Sequence, residues 1–319
     1  MINSEKDFFK RNTIIFLVCV IFIGTIYFFI MNKNNSYYNP IKESKFLNIE
    51  NTENSEFGYL LKTYLKLQIS GLQMLTNELA SNHNQYEMDA VIQDISHMKY
   101  FYTTSPNIKF IVEKSQLKFV ELDESYILSR DFNEFIIPDN TTPILDITQN
   151  DLYKKIKDSN YEWDVSISFS DYVSFEKIAN FMNECENAEF VWLAIDHIDK
   201  GYTYSIGLSL LEDEFNVSLT GNAEKEYPYL SLSNTRKYDY NDLKQSYISK
   251  IKLLRDHSDF LNLMPKANIP NGIQPDVIND LYNYAIQNDF CYGIRLITNS
   301  QNILSLIEMF GANAIYIHN

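Results

Sequence analysis

The densest concentration of chemically capable side chains is Asp196-His197-Ile198-Asp199, two carboxylates and an imidazole at the end of an apolar run. Such groups ligate zinc and related divalent ions. On a strand, however, successive side chains point to opposite faces, so Asp196 and His197 diverge and the group reads as a polar strand exit. Glu212-Asp213-Glu214 supplies three carboxylates suited to calcium, but the spaced ligand loop of a calcium site is missing, and the triplet reads as a solvated acidic turn. His83 and His97 stand alone on helical patterns as polar-face residues. His257 has Asp256 and Asp259 nearby in a helix, where consecutive residues do not share a face. His318 is read as a frayed end. The chain lacks G-x-S-x-G, the P-loop, H-E-x-x-H and G-x-G-x-x-G, and its 9 glycines are too dispersed to cradle a phosphate. The expectation is a non-enzymatic protein with no catalytic, cofactor-binding or metal-ligating residues and no cofactor.

The balance of 27 Lys and Arg against 42 Asp and Glu gives a net charge of −15, which repels phosphate backbones and argues against direct nucleic-acid binding. A hydrophobic content of 45% is ample for a globular core. Cys19 lies in an apolar stretch, and Cys185 and Cys291 are far apart, so a disulfide between them is allowed outside the cytoplasm without being implied. Tyr202, Tyr204, Tyr227, Tyr229, Tyr238 and Tyr240 gather in one region. Tyrosine gives large contact area at low entropic cost, so this is a candidate interaction surface, with amphipathic strand packing as the competing reading.

The elements that must hold these residues begin with Ile14 to Met31, IIFLVCVIFIGTIYFFIM, which carries no charge. At about 1.5 Å per residue a helix of this length matches a bilayer's hydrocarbon core. The expected layout is a cytoplasmic tail (Met1–Asn12), a transmembrane helix (Thr13–Met31), a polar stalk (Asn32–Ser55), a membrane-proximal helical or α/β region (Glu56–Asn150) and a C-terminal domain (Lys155–Asn319). Lys10-Arg11 before the segment against Lys33 after it places the N-terminus inside and residues 32–319 outside. Gly24 permits close helix approach, although no G-x-x-x-G is present. In the membrane-proximal region Leu60, Leu61, Tyr64, Leu65, Leu72, Leu75 and Leu79 predict one helix, and Met88, Val91, Ile92 and Ile95 predict a weaker second one. FIV and LKFV, between Lys109 and Val120, predict short strands, and Phe135-Ile136-Ile137 a strand or a helix end.

Trp163 to Phe169 alternates apolar and polar residues, predicting a half-buried strand. Ser174 and Glu176 then open a helix carrying Phe175, Ile178, Phe181 and Met182, and EFVWLAID follows as an apolar strand. The pattern recurs as YGIRLIT, a helix with Ile303, Leu306, Ile307 and Phe310 stopped by Gly311, and NAIYIH. Two βαβ units of this kind predict a ferredoxin-like plait, an antiparallel sheet with helices on one face. A long insertion, Asp199 to Asp289, separates them, with a strand over Tyr202–Leu210 and helices over Tyr240–Leu263 and Pro275–Asn288. The fold class is thus α+β, with an N-terminal transmembrane helix, a helical membrane-proximal region and a C-terminal βαβ-βαβ plait.

WDVSISFSDYVSFEKIANFM, EFVWLAIDH and YGIRLITNSQNILSLIEMFGANAIYIHN, with Trp192, Gly293, Asn299 and Gly311 in place, resemble the C-terminal domain of bacterial sigma factor regulators. The resemblance covers about Tyr161 to Asn319 and lies in packing motifs. It implies a membrane-anchored protein of low-GC Gram-positive bacteria that controls extracytoplasmic-function sigma factors. Anti-sigma proteins hold their target with a folded cytoplasmic domain, and Met1–Asn12 is too short to form one. The resemblance therefore implies a sensory or accessory chain whose partners are the bilayer and another membrane protein or sigma-factor regulatory protein. Phe8-Phe9 would be the tail's apolar contact for direct sequestration; a snorkelling interface segment is the commoner form of such a tail. The small-molecule ligand is left open. A structural component of an envelope or secretion complex is the alternative.

Overall fold

The computed structural model describes residues 21–25, 37–41, 56–76, 79–82, 85–95, 107–120, 134–138, 150–197, 205–211, 219–230, 237–264 and 273–318. The chain divides into two units, Met1–Asn39 and Pro40–Asn319. In the first, residues 21–25 form a helical stretch with exposed side chains. Among the described residues no helix is long and apolar enough to cross a membrane. This corrects the expected fold class: a bilayer core of about 30 Å requires about 20 helical residues, and what is described is a mixed α+β fold built on two antiparallel sheets. The rest of Ile14–Met31, and Phe8-Phe9, lie outside the described residues.

The first described element of the second unit is α1 (Glu56–Lys66), in which every residue from Phe57 to Lys66 is buried. The chain then turns through Gly71, at φ +71°, into β1 (Leu72–Thr76). The helix ends at Lys66, and the left-handed conformation at Gly71, which costs glycine little, starts a strand at Leu72, which the leucine spacing had placed on the helix. β2 (Ala80–Asn82), β3 (Gln85–Asp94), β4 (Asn107–Glu113) and β5 (Gln116–Val120) complete the first sheet, in order β1-β3-β4-β5 with β2 also on β3. Among its described residues, the expected helical membrane-proximal region is thus mainly sheet. Met88, Ala90 and Ile92 are buried with period two, and this alternation outweighed the coincidental helical spacing of Met88, Val91, Ile92 and Ile95. Lys114 and Ser115, both at positive φ, form the two-residue turn joining β4 to β5. Positive φ at both central positions is the hairpin geometry that matches strand twist.

After α2 (Asp151–Lys157) comes the second sheet. β6 (Glu162–Ser174), α3 (Phe175–Glu184) and β7 (Glu189–His197) form one crossover unit. β9 (Phe290–Asn299), α8 (Ser300–Phe310) and β10 (Ala314–Ile317) form the other. Between them lie β8 (Ser205–Ser209), α4 (Gly221–Glu226), α5 (Tyr240–Asp256), α6 (Ser258–Leu261) and α7 (Ile278–Gln287). The strand order is β10-β6-β9-β7-β8, with every pair antiparallel. Each crossover thus leaves a gap that the other unit's strand fills, and β8 extends one edge. Side-chain oxygens open the helices: Ser174 accepts from the Lys177 amide, and Asn299 from that of Asn302. Gly311, at φ +69°, closes α8.

The second sheet is covered on both faces. Phe169, Phe181 and Phe310 pack together between β6 and the helices α3 and α8. On the opposite face of β6, Asp164, Ser166 and Ser168 are also buried, Ser166 and Ser168 completely. The alternation in Trp163–Phe169 therefore marks two buried faces of different chemistry, which corrects the expected half-buried strand. Phe135 helps to cover this second face. Its ring lies 5.4 Å from Trp192 and 6.5 Å from Tyr292, over a glycine, Gly293, whose missing side chain leaves it room.

Candidate functional site

The polar face of β6 belongs to a buried cluster that joins the two sheets. At its centre is Arg295 of β9, fully buried and paired across the ladder with Ser166. Its Nε and Nη2 donate to the two oxygens of Asp164 at 2.9 and 2.8 Å. Nη1 and Nη2 donate to the two oxygens of Asp94, which closes β3, at 3.2 and 2.8 Å. Nη1 also reaches the Ser70 carbonyl at 3.0 Å. A guanidinium has five N–H donors, and all five are thereby engaged. Both aspartates are bound in the bidentate fork geometry that gives arginine its advantage over lysine. Gly71 lies against the guanidinium, so closely that a side chain there would overlap it.

A third acid, Glu134, flanks the two aspartates. Ser70 Oγ donates to Glu134 at 2.5 Å, and Ser166 Oγ to the same carboxylate at 3.3 Å. His318 Nε2 sits 2.8 Å from Ser166 Oγ and 3.6 Å from Glu134. The His318 amide donates to the Asp164 carbonyl at 2.9 Å. His318 is therefore held in place, which corrects the reading of it as frayed. A serine, a histidine and a carboxylate invite comparison with a nucleophilic triad, but that triad requires the acid on Nδ1 and the serine on Nε2. Here serine and acid both approach Nε2, and Ser166 is sealed from solvent. The cluster is a joint: its aspartate oxygens accept from Arg295, and its hydroxyls link Glu134 to Arg295 through Ser70 and to His318 through Ser166.

Asp196 and His197 lie on β7 opposite Ile206 and Ser205, just past a bulge. Among the described residues no three His, Cys, Asp or Glu are grouped to hold a metal ion. Glu212-Asp213-Glu214, His83, His97, Asp199, Tyr202 and Tyr204 fall outside the described residues. His257 follows α5 with its Nδ1 2.8 Å from the Leu253 carbonyl. The described tyrosines do not form one patch: Tyr227 is buried and Tyr229 exposed, while Tyr238 rests edge-on against Phe190. Cys185 and Cys291 are both free thiols. Burial pushes the Cys185 thiol up to about 11 and raises that of Cys291 still further.

A more exposed charge network lies beside Tyr227. Lys252 bonds Asp256 at 2.6 Å and Glu226 at 2.9 Å, and Arg255 bonds Asp256 at 2.9 Å. The Arg255 guanidinium stacks 3.8 Å from the Tyr282 ring centre. Partial burial would raise the Asp256 carboxyl, but hydrogen bonds from Lys252 and Arg255 outweigh it and hold the group below the usual carboxylate range.

Arg295 was not singled out by sequence reasoning, although a signal was present. A lone guanidinium inside YGIRLIT, flanked on both sides by residues that bury themselves, must be buried with them and so must be paired. Its partners Asp94 and Asp164 carried no such mark. No family model matches the chain, no curated protein matches it, and no solved structure matches it.

Proposed function

We propose that this chain is a non-enzymatic regulatory protein that acts through a protein partner in the control of extracytoplasmic-function sigma factors. The observation that carries the reading is the Arg295 joint. The acid-rich centre of the molecule spends its carboxylates on a guanidinium and ties the first sheet to the second. A signal received on one sheet has a rigid, fully hydrogen-bonded connection to the other, which is what a sensory module needs and a reactive centre does not. The segments that resemble sigma factor regulators supply β6, α3, β7, β9, α8 and β10, the two crossover units of a single sheet.

The test is chromosomal deletion followed by transcript profiling under envelope stresses, with Arg295→Met in parallel. Altered sigma-dependent expression in both strains is expected. Unchanged sigma-dependent expression under every stress overturns the proposal, as does recovery of a multi-protein export apparatus, without a sigma factor or its regulator, from cross-linked cells.

A further inference from the structure

The second sheet has two edges, and they end differently. On the β8 side the chain after α1 closes the sheet: the Gly207 amide donates to the Leu67 carbonyl at 2.9 Å, and all of β8 is buried. On the other side β10 has β6 as its only strand neighbour among the described residues. The His318 amide donates to the Asp164 carbonyl at 2.9 Å, which sets the alternation of that ladder. Tyr316 and Ala314 therefore face Ser166 and Ser168 with their backbone groups, while the amides and carbonyls of Ile315 and Ile317 point away from β6. Among the described residues these outward groups meet no hydrogen-bond partner.

An unpaired strand edge is a template for another strand, and proteins blunt it with a lysine, a proline or a bulge. Gly311 to Ile317, GANAIYI, contains no charge and no proline, and β10 pairs with β6 in unbroken register. In a chain of net charge −15, that uncharged run is where a second acidic surface can approach at least electrostatic cost. Tyr316 is 40% exposed on the face of the sheet that carries Ser166. Ile136, 42% exposed, joins it on that face, where its amide donates to Ser168 Oγ at 2.9 Å. Apolar surface thus lies beside the open backbone groups.

We infer that β10 pairs antiparallel with β10 of a second copy of this chain across a two-fold axis, joining the two five-stranded sheets into one. The spacing of the open groups selects this occupant. With Tyr316 of one copy opposite Tyr316 of the other, Ile315 falls opposite Ile317, and each outward amide meets an outward carbonyl. Tyr316 then takes the non-hydrogen-bonded position, where opposed side chains approach closest, and the two rings cover the axis. The contact leaves β6 and the Arg295 cluster as they are, and it does not depend on the regulatory reading. Because both copies are acidic, salt strengthens the pairing by screening their repulsion.

Sedimentation equilibrium of the full chain over a range of concentrations tests the inference. A monomer–dimer equilibrium is expected, tightening as salt is raised. Tyr316→Lys places two like charges opposite each other at the axis, so the dissociation constant should rise by about tenfold or more. The same change lowers each copy's net negative charge, so general repulsion predicts the opposite sign. Because Tyr316 is partly exposed, the variant should melt near the parent temperature. Tyr316→Cys should form a disulfide-linked dimer under mild oxidation, since opposed Cα atoms at a non-hydrogen-bonded pair lie about 4.5 Å apart, within disulfide reach. The parent chain, with its 3 cysteines, gives the background. A chain that is monomeric at every concentration overturns the inference and leaves the edge to a strand of another protein. Association that Tyr316→Lys leaves unchanged or strengthens, or that salt weakens, also overturns it, as does a Tyr316→Cys chain that cross-links no faster than the parent.

Discussion

Arg295 and Asp256 each stand at the centre of an ion network, and the two networks are built for different environments. Around Arg295 the guanidinium is completely buried and the Asp94 and Asp164 side chains nearly so. Every donor is used, and both carboxylates are gripped in two places. Around Asp256 the side chains are a fifth to a half exposed to solvent. The buried network is unforgiving, because removing one member leaves a charge without solvent or partner. The exposed one is worth little per pair and weakens with salt.

The strongest way to break this contrast is Arg295→Met. It strands Asp94 and Asp164 and should cost about 3–5 kcal/mol in urea unfolding, a large part of a domain's stability. Thiol labelling gives an independent reading: Cys291, buried in the same strand, should become reactive at much lower urea than in the parent chain. Replacing the aspartates as well, Asp94→Asn with Asp164→Asn, should return part of the loss. If the triple variant is no more stable than the single one, isolated charge is not the cause. Next in size is Gly71→Ala, which forces a side chain into a left-handed backbone position and against the guanidinium. A loss of about 1–3 kcal/mol is expected from the same unfolding curves. Ser166→Ala removes the hydroxyl between Glu134 and His318 and should cost about 1 kcal/mol.

Asp256→Asn should have the smallest effect, ~1 kcal/mol or less, and it carries a pH signature. The folded-state pKa of Asp256 is depressed, so its contribution is present above the ordinary carboxylate range and is lost as pH falls through the folded value. Parent and variant should therefore differ in midpoint at neutral pH and converge in acid. The difference should also shrink in high salt, whereas the Arg295→Met difference should not.

The sequence made some of this legible and hid the rest for identifiable reasons. Strand–helix–strand order over 162–197 and 290–317 could be read because each element carries its own period and caps, such as Ser174, Asn299 and Gly311. Residues 72–94 misled because Leu72, Leu75, Val91 and Ile92 fit a helical spacing by chance, while the space that requires glycine at position 71 is taken by Arg295, far along the chain. The cluster itself could not be read in the same way. Asp94, Asp164 and Glu134 look like any surface acids until the fold buries them, and His318 gives no local sign of its contact with Ser166.

Arg295 is separated from Asp164 by 131 residues and from Asp94 by 201. On a ribosome, that spacing becomes time. At about 5–20 residues per second, Asp94 waits roughly ten to forty seconds for its guanidinium. Throughout that interval β6 lacks both of its ladder neighbours, β9 and β10, and its polar face lacks its partner. The first sheet, whose strand pairs all lie within residues 72–120, can pair as it emerges, but the second cannot close until β9 arrives. The strand that closes the ladder also delivers the cation, so the unpaired aspartates have no reason to leave water early. The charge placement therefore orders assembly as well as holding the finished fold, keeping β6 open until its last partners have been made.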